Sequence, residues 1–147
     1  RIHIKLKDCF QSWGQYGAAV SGGVDIMTLT VTLGFKEGFS ILSYDGANFF
    51  NSIYRHIFLS VLEEIVPSVV LYASNLYARE SPKLLFALDG RGAEVIKSTR
   101  GVQRGCNLGP LIYSAGPLKS LKKFRSKPPV PEAKAVSFID DITVILP

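Results

Sequence analysis

At 147 residues, 47% of them hydrophobic, the chain is the size of one domain and too apolar for intrinsic disorder. Its net charge of +5 and pI near 9.3 suit a polyanionic partner without identifying one. Cys9 and Cys106 make no metal-type spacing with His3 or His56, so a disulfide framework is not expected, and a reducing, intracellular location (nucleus or cytoplasm) is.

No secretory or membrane-spanning segment is expected, because the most apolar stretch, Ile53 to Ala78, is interrupted by Glu63, Glu64 and Pro67. Arg1 is not an initiator Met, which suggests a fragment or a processed chain. In residues 1–38, Gly14, Gly17, Gly22 and Gly23 punctuate a loop, and Val24 to Leu33 predicts a short helix against the helix-averse Thr28, Thr30 and Thr32. Phe39 to Asp45 alternates as a strand does. Asn51 is the expected N-cap of a helix to Val66, with Ile53, Ile57, Val61 and Ile65 as its apolar stripe. Pro67 ends that helix and opens another to Ala78. Leu84 to Leu88 and Ala93 to Ser98 flank Asp89-Gly90-Arg91-Gly92, a hairpin signal. A Gly-rich loop from Arg100 to Pro110 leads into one helix ending near Arg125, and Pro128, Pro129 and Pro131 enforce a loop. Val136 to Asp140 predicts a strand, Asp140-Asp141 a tight turn, and Ile142 to Leu146 the returning strand. This order predicts an α+β fold with helices on one face of a mainly antiparallel sheet.

Asp45 and Asp140-Asp141 each end a hydrophobic strand, where a rigid sheet edge holds carboxylates in place. If those strands are neighbours, the carboxylates converge and repel unless divalent cations bridge them, the arrangement that phosphoryl transfer uses. Read alone, each is more simply a turn aspartate at a strand end, and spacing leaves the pair open between the two readings.

The segments Asp45-Gly46-Ala47-Asn48-Phe49-Phe50-Asn51, Arg100-Gly101-Val102-Gln103-Arg104-Gly105-Cys106-Asn107-Leu108-Gly109-Pro110 and Phe138-Ile139-Asp140-Asp141 follow one another in a telling order. In order and interval they resemble the first catalytic motif, the substrate-binding motif and the aromatic-x-Asp-Asp box of reverse transcriptases from non-LTR-type retroelements. Gln15-Tyr16-Gly17 and Ser21-Gly22-Gly23 resemble, more weakly, the family's finger-to-palm lead-in. The resemblance implies a polymerase palm at 39–147, preceded at 1–38 by a remnant of that lead-in and truncated before the thumb.

It also implies an activity: RNA-directed DNA synthesis, in which a DNA primer 3′-hydroxyl on an RNA template attacks a dNTP at a two-metal site. Asp45 and Asp140, with Asp141 adjacent and the backbone carbonyl of Gly46 within reach, would hold two Mg2+ ions, or Mn2+. Phe50 falls at the family's sugar gate, a ring that excludes a ribose 2′-hydroxyl. Gln103, Arg104 and Gly105 would contact the dNTP, and Gly101 and Gly105 would let backbone approach the incoming base pair. The basic run Lys119, Lys122, Lys123, Arg125 and Lys127 would meet template or primer phosphates, or else forms a solvated helix end complementing the helix dipole.

The sequence departs from the family pattern at Phe49, where the family has a small Ala, at Arg104 in place of a Gln, and at Cys106-Asn107 in place of Asp-Pro. Two other readings stay open: a catalytically inactive retroelement remnant, and a noncatalytic nucleic-acid-binding module, since a small sheet backed by helices also suits RNA.

Overall fold

Three short strands from distant parts of the sequence make the main sheet. In the computed structural model, which describes residues 2–79, 84–88, 92–103 and 105–147, β1 (Ser40–Tyr44) pairs antiparallel with β5 (Asp141–Leu146), and β5 pairs antiparallel with β4 (Lys134–Phe138). The fold is α+β. A separate antiparallel pair, β2 (Leu84–Leu88) and β3 (Gly92–Ile96), forms the expected hairpin, whose turn residues Asp89, Gly90 and Arg91 lie outside the described residues.

Two helices precede the sheet. In α1 (Ile2–Ser12), unannounced by the sequence pattern, Leu6 and Phe10 stand one turn apart and both enter the core. The expected helix at Val24 is α2 (Gly23–Lys36), longer than its apolar run. Its threonines are tolerated in part because Thr30 Oγ1 donates back to Ile26 O at 2.7 Å. Helix α2 lies across all three strands of the sheet. Gly34 permits this approach, since a Cβ there would stand 2.8 Å from Ile145 Cγ2.

The long helix expected from Asn51 is instead two, α3 (Phe49–Ser52) and α4 (Arg55–Ile65), so Asn51 lies inside α3 and Asn48 occupies the cap position. The break has a cause. The carbonyls of Phe50 and Ile53 are claimed from outside, by the N–H groups of Val102 at 3.0 Å and Gly101 at 2.9 Å. The buried face of α4 is also rotated from the expected stripe: Phe58, Val61 and Leu62 are buried, while Ile57 and Ile65 are only half-buried. Helix α5 (Pro67–Tyr77) begins at Pro67, as expected, and packs on α4, with the Tyr77 ring edge-on to Phe58 at 5.8 Å.

The single helix expected up to Arg125 is α6 (Gly109–Ala115) and α7 (Leu118–Ser126), broken at Gly116-Pro117. Proline has no N–H to continue the ladder, and a Cβ at Gly116 would press on Ile53 Cδ1 at 2.5 Å. One core joins these parts: Phe10, Phe58, Leu62, Tyr77 and Ile112 are almost wholly buried within it. No helix among the described residues is long and apolar enough to cross a membrane.

Candidate active site at the end of the sheet

The strand register brings the acidic residues to one end of the sheet. Tyr44 pairs with Ile142 and Phe138 with Asp141, so Asp45 leaves β1 where β5 begins. The hairpin turn is Ile139-Asp140, and Asp141 is already the first residue of β5, one position earlier than the sequence pattern suggested. Asp141 feels the charge of both other carboxylates. Burial first, then the charges of Asp140 and Asp45, push the Asp141 carboxyl above its ordinary value.

These oxygen donors have the chemistry of a Mg2+ or Mn2+ site. Among the described residues, no group of three or more His, Cys, Asp or Glu side chains is placed to hold a metal ion. Mg2+ is ordinarily held by one or two carboxylates plus substrate phosphates rather than by a closed protein cage. The Gly46 carbonyl accepts the Phe49 N–H at 3.0 Å, closing a turn that leads into α3.

Beside the cluster lies a pocket of about 490 Å³ whose lining includes Phe50, Gln103, Gly105, Cys106, Tyr113 and Ile139. Three of the four residues expected to contact a nucleotide therefore share one cavity, and the fourth, Arg104, lies outside the described residues. Ile139, which immediately precedes Asp140, joins the pocket to the carboxylates. The two phenylalanines divide the work. Phe49 turns inward against the core, while Phe50 lines the pocket with its ring edge-on to Tyr113, centroids 3.8 Å apart. The Tyr113 hydroxyl donates toward the carbonyls of Phe50 and Val102, each at 3.3 Å, fixing the wall on which Phe50 rests.

The loop at 100–106 is braced by two buried side chains that sequence reasoning did not single out. The five N–H groups of the Arg55 guanidinium meet carbonyls of Arg79, Ser98, Arg100 and Gly101 and the Ser98 hydroxyl, at 2.9–3.3 Å. Burial, and then hydrogen bonding to Cys106, hold the Tyr77 hydroxyl above its ordinary pKa. The two glycines of the loop differ. Gly105, with φ 83, has open space around it, whereas Gly101, with φ 70, packs against the chain's own backbone at Phe50 and Asn51 instead of facing a ligand.

The basic run on α7 is partly engaged within the chain. Lys119 donates to Ser60 Oγ at 2.8 Å, Lys122 pairs with Glu64 at 3.0 Å and lies over the Trp13 ring, and Arg125 donates to Ser12 O at 2.9 Å. Lys123 and Lys127 are exposed.

The turn between β4 and β5 carries backbone strain. Ile139 has φ 58, a left-handed conformation that a β-branched residue rarely adopts. Such a residue costs about 1–3 kcal/mol and persists only where its surroundings impose it. In a two-residue hairpin loop, positive φ at the first position ordinarily calls for Gly.

No family model matches the chain. It is 30% identical, over 134 residues, to the 132 kDa protein of the retrotransposable element SLACS from Trypanosoma brucei gambiense. The match takes in 90% of this chain and 11% of that protein, so the chain spans about a tenth of the length of the curated relative it matches. The likeness supports a retroelement origin for the chain.

Proposed function

We propose that the chain is the palm of a retroelement RNA-directed DNA polymerase, joining a dNTP to a DNA primer 3′-hydroxyl on an RNA template. The observation that carries this reading is the convergence of Asp45, Asp140 and Asp141 at one sheet end, beside a pocket lined by Phe50, Gln103 and Gly105. A noncatalytic RNA-binding module has no need of such a cluster, which destabilises the fold in the absence of a cation.

Asp45 and Asp140 would hold the divalent ions, with Asp141 beside them. When bound, such ions favour the attacking 3′-oxygen and neutralise charge on the phosphates. The chain's own residues would do the rest. Phe50, propped by Tyr113, leaves no room for a 2′-hydroxyl on the sugar. Gln103 and Gly105 receive the nucleotide in the same cavity, and the exposed Lys123 and Lys127 offer charge to the template or primer backbone.

The test is primer extension on an RNA template by the purified chain, in Mg2+ and in Mn2+. Addition of single deoxynucleotides, abolished by Asp45→Asn and by Asp140→Asn, is expected. RNA binding without extension, indifferent to both substitutions, would overturn the reading in favour of a binding module.

A further inference from the structure

Gln15 is fully buried in the loop after α1, one of few buried polar side chains among the described residues. Its carboxamide serves Ile139 as a neighbouring strand would. Oε1 accepts the Ile139 N–H at 3.0 Å, and Nε2 donates to the Ile139 carbonyl at 3.0 Å. The remaining capacity of the amide is also used: Oε1 accepts the Gly17 N–H at 2.8 Å, and Nε2 donates to Ser137 Oγ at 3.1 Å and reaches Ser114 O at 3.4 Å.

The surrounding backbone is tied down too. The Ser137 N–H donates to Gly14 O and the Tyr16 N–H to Ser137 O, both at 2.7 Å. Gly17 then closes on the turn, since a Cβ there would overlap the Ile139 backbone nitrogen and stand 2.9 Å from its Cα. Both backbone polar groups of the one strained residue in the hairpin are thus paired with the Gln15 side chain, more than a hundred positions earlier, and the carbonyl also accepts the Ser137 hydroxyl at 3.4 Å. Isoleucine has no local preference for this conformation; within the hairpin only that long Ser137 Oγ contact to its carbonyl helps to hold it, and the shorter bonds come from Gln15.

We infer that Gln15 is a positioning residue for Asp140: its carboxamide fixes the left-handed turn at Ile139 and thereby aims the next carboxylate. The catalytic consequence rests on the polymerase reading; the conformational one does not. Small displacements matter at such a site, because misplacing a reacting group by about 1 Å can cost roughly a hundredfold in rate.

The test compares the wild-type chain with Gln15→Met, which keeps the volume and removes the amide, and with Gln15→Glu, which keeps an acceptor and loses the donor. Amide hydrogen exchange at Ile139 and the backbone chemical shifts of Asp140 report the turn. Mn2+ affinity and primer extension report the site. In Gln15→Met, faster exchange at Ile139, displaced Asp140 shifts and a fall in kcat of about tenfold or more are expected, with KM for the dNTP held within about twofold. Adding Ile139→Gly, which reaches positive φ without help, should restore much of the loss, a rescue that general destabilisation would not permit. If Gln15→Met does not fold, Gln15→Glu carries the same measurements. Asp140 shifts that stay unchanged once the amide is removed overturn the inference, however the polymerase reading fares. Failure of that reading has its own signature: a wild-type chain whose Mn2+ binding is indifferent to Asp140→Asn.

Discussion

Gly101 lies against Asn51 with no room for a side chain between them, since a Cβ at Gly101 would stand 2.6 Å from the Asn51 Cα and 2.6 Å from the Phe50 carbonyl oxygen. The contact joins the loop at 100–103 to the segment that follows Asp45, and it explains why α3 stops where it does. Gly101→Ala combines a backbone clash with a left-handed φ of 70. The expected result is destabilisation by about 2–4 kcal/mol, read from the denaturant midpoint. A change below about 0.5 kcal/mol would show that the two segments part easily.

Asp141 gives a pH dependence with a definite sign. Its folded-state carboxyl is raised above the ordinary value of 3.8 by burial and by the charges of Asp140 and Asp45. The folded chain therefore holds this proton more tightly than the unfolded chain. The favourable contribution is complete below the ordinary value and disappears as pH rises through the folded one. Asp141→Asn should raise Tm at pH 7 in a metal-free buffer, with a benefit that shrinks on acidification towards pH 4. A lower Tm for the variant at pH 7 would mean that the carboxylate is stabilised by contacts outweighing its neighbours' repulsion.

Phe50 provides the test of sugar selection. Because its ring lines the pocket while Phe49 fills the core, Phe50→Ala should enlarge the cavity with little loss of stability. In primer extension the variant should raise ribonucleotide incorporation relative to deoxyribonucleotide by about tenfold, the scale of one lost steric exclusion. Unchanged discrimination in an active variant would assign the ring to bracing Tyr113 instead.

What the sequence revealed and what it concealed divide along physical lines. Pro67, the turn-type residues between Leu88 and Ala93 and the alternation before Asp45 are local signals; α5, the paired strands β2 and β3, and β1 lie where they pointed. The helix from Asn51 was cut short by partners in the loop at 100–103, hydrogen bonds between distant segments that periodicity does not carry. Helix α1 was hidden because Ile2, Ile4 and Leu6 alternate with polar residues as a strand would, while its role depends on Leu6 and Phe10 meeting a core assembled elsewhere. At the candidate site, the aspartates stood out through their place at strand ends. Gln15 stood out only as part of the weak lead-in match; its role at the turn was hidden, because nothing in a Gly-rich loop signals that an amide is buried, and Ile139 runs against its own backbone preference.

The strand order β1-β5-β4 has a consequence for the making of the protein. Among the described residues β1 and β4 form no ladder with each other, so β5, the last strand in the sequence, is the one that joins them. During synthesis Asp45 is made early and Asp140 late, and the two share no frame until β5 slides between its partners. The β1–β5 pairing that brings the acidic cluster together closes the longest loop of any strand ladder among the described residues, and loop-closure entropy makes such a pairing slow to form. Phe58, Leu62 and Tyr77 lie on α4 and α5, neighbours in the sequence, so their packing closes a far shorter loop than the one that brings Asp45 to Asp140.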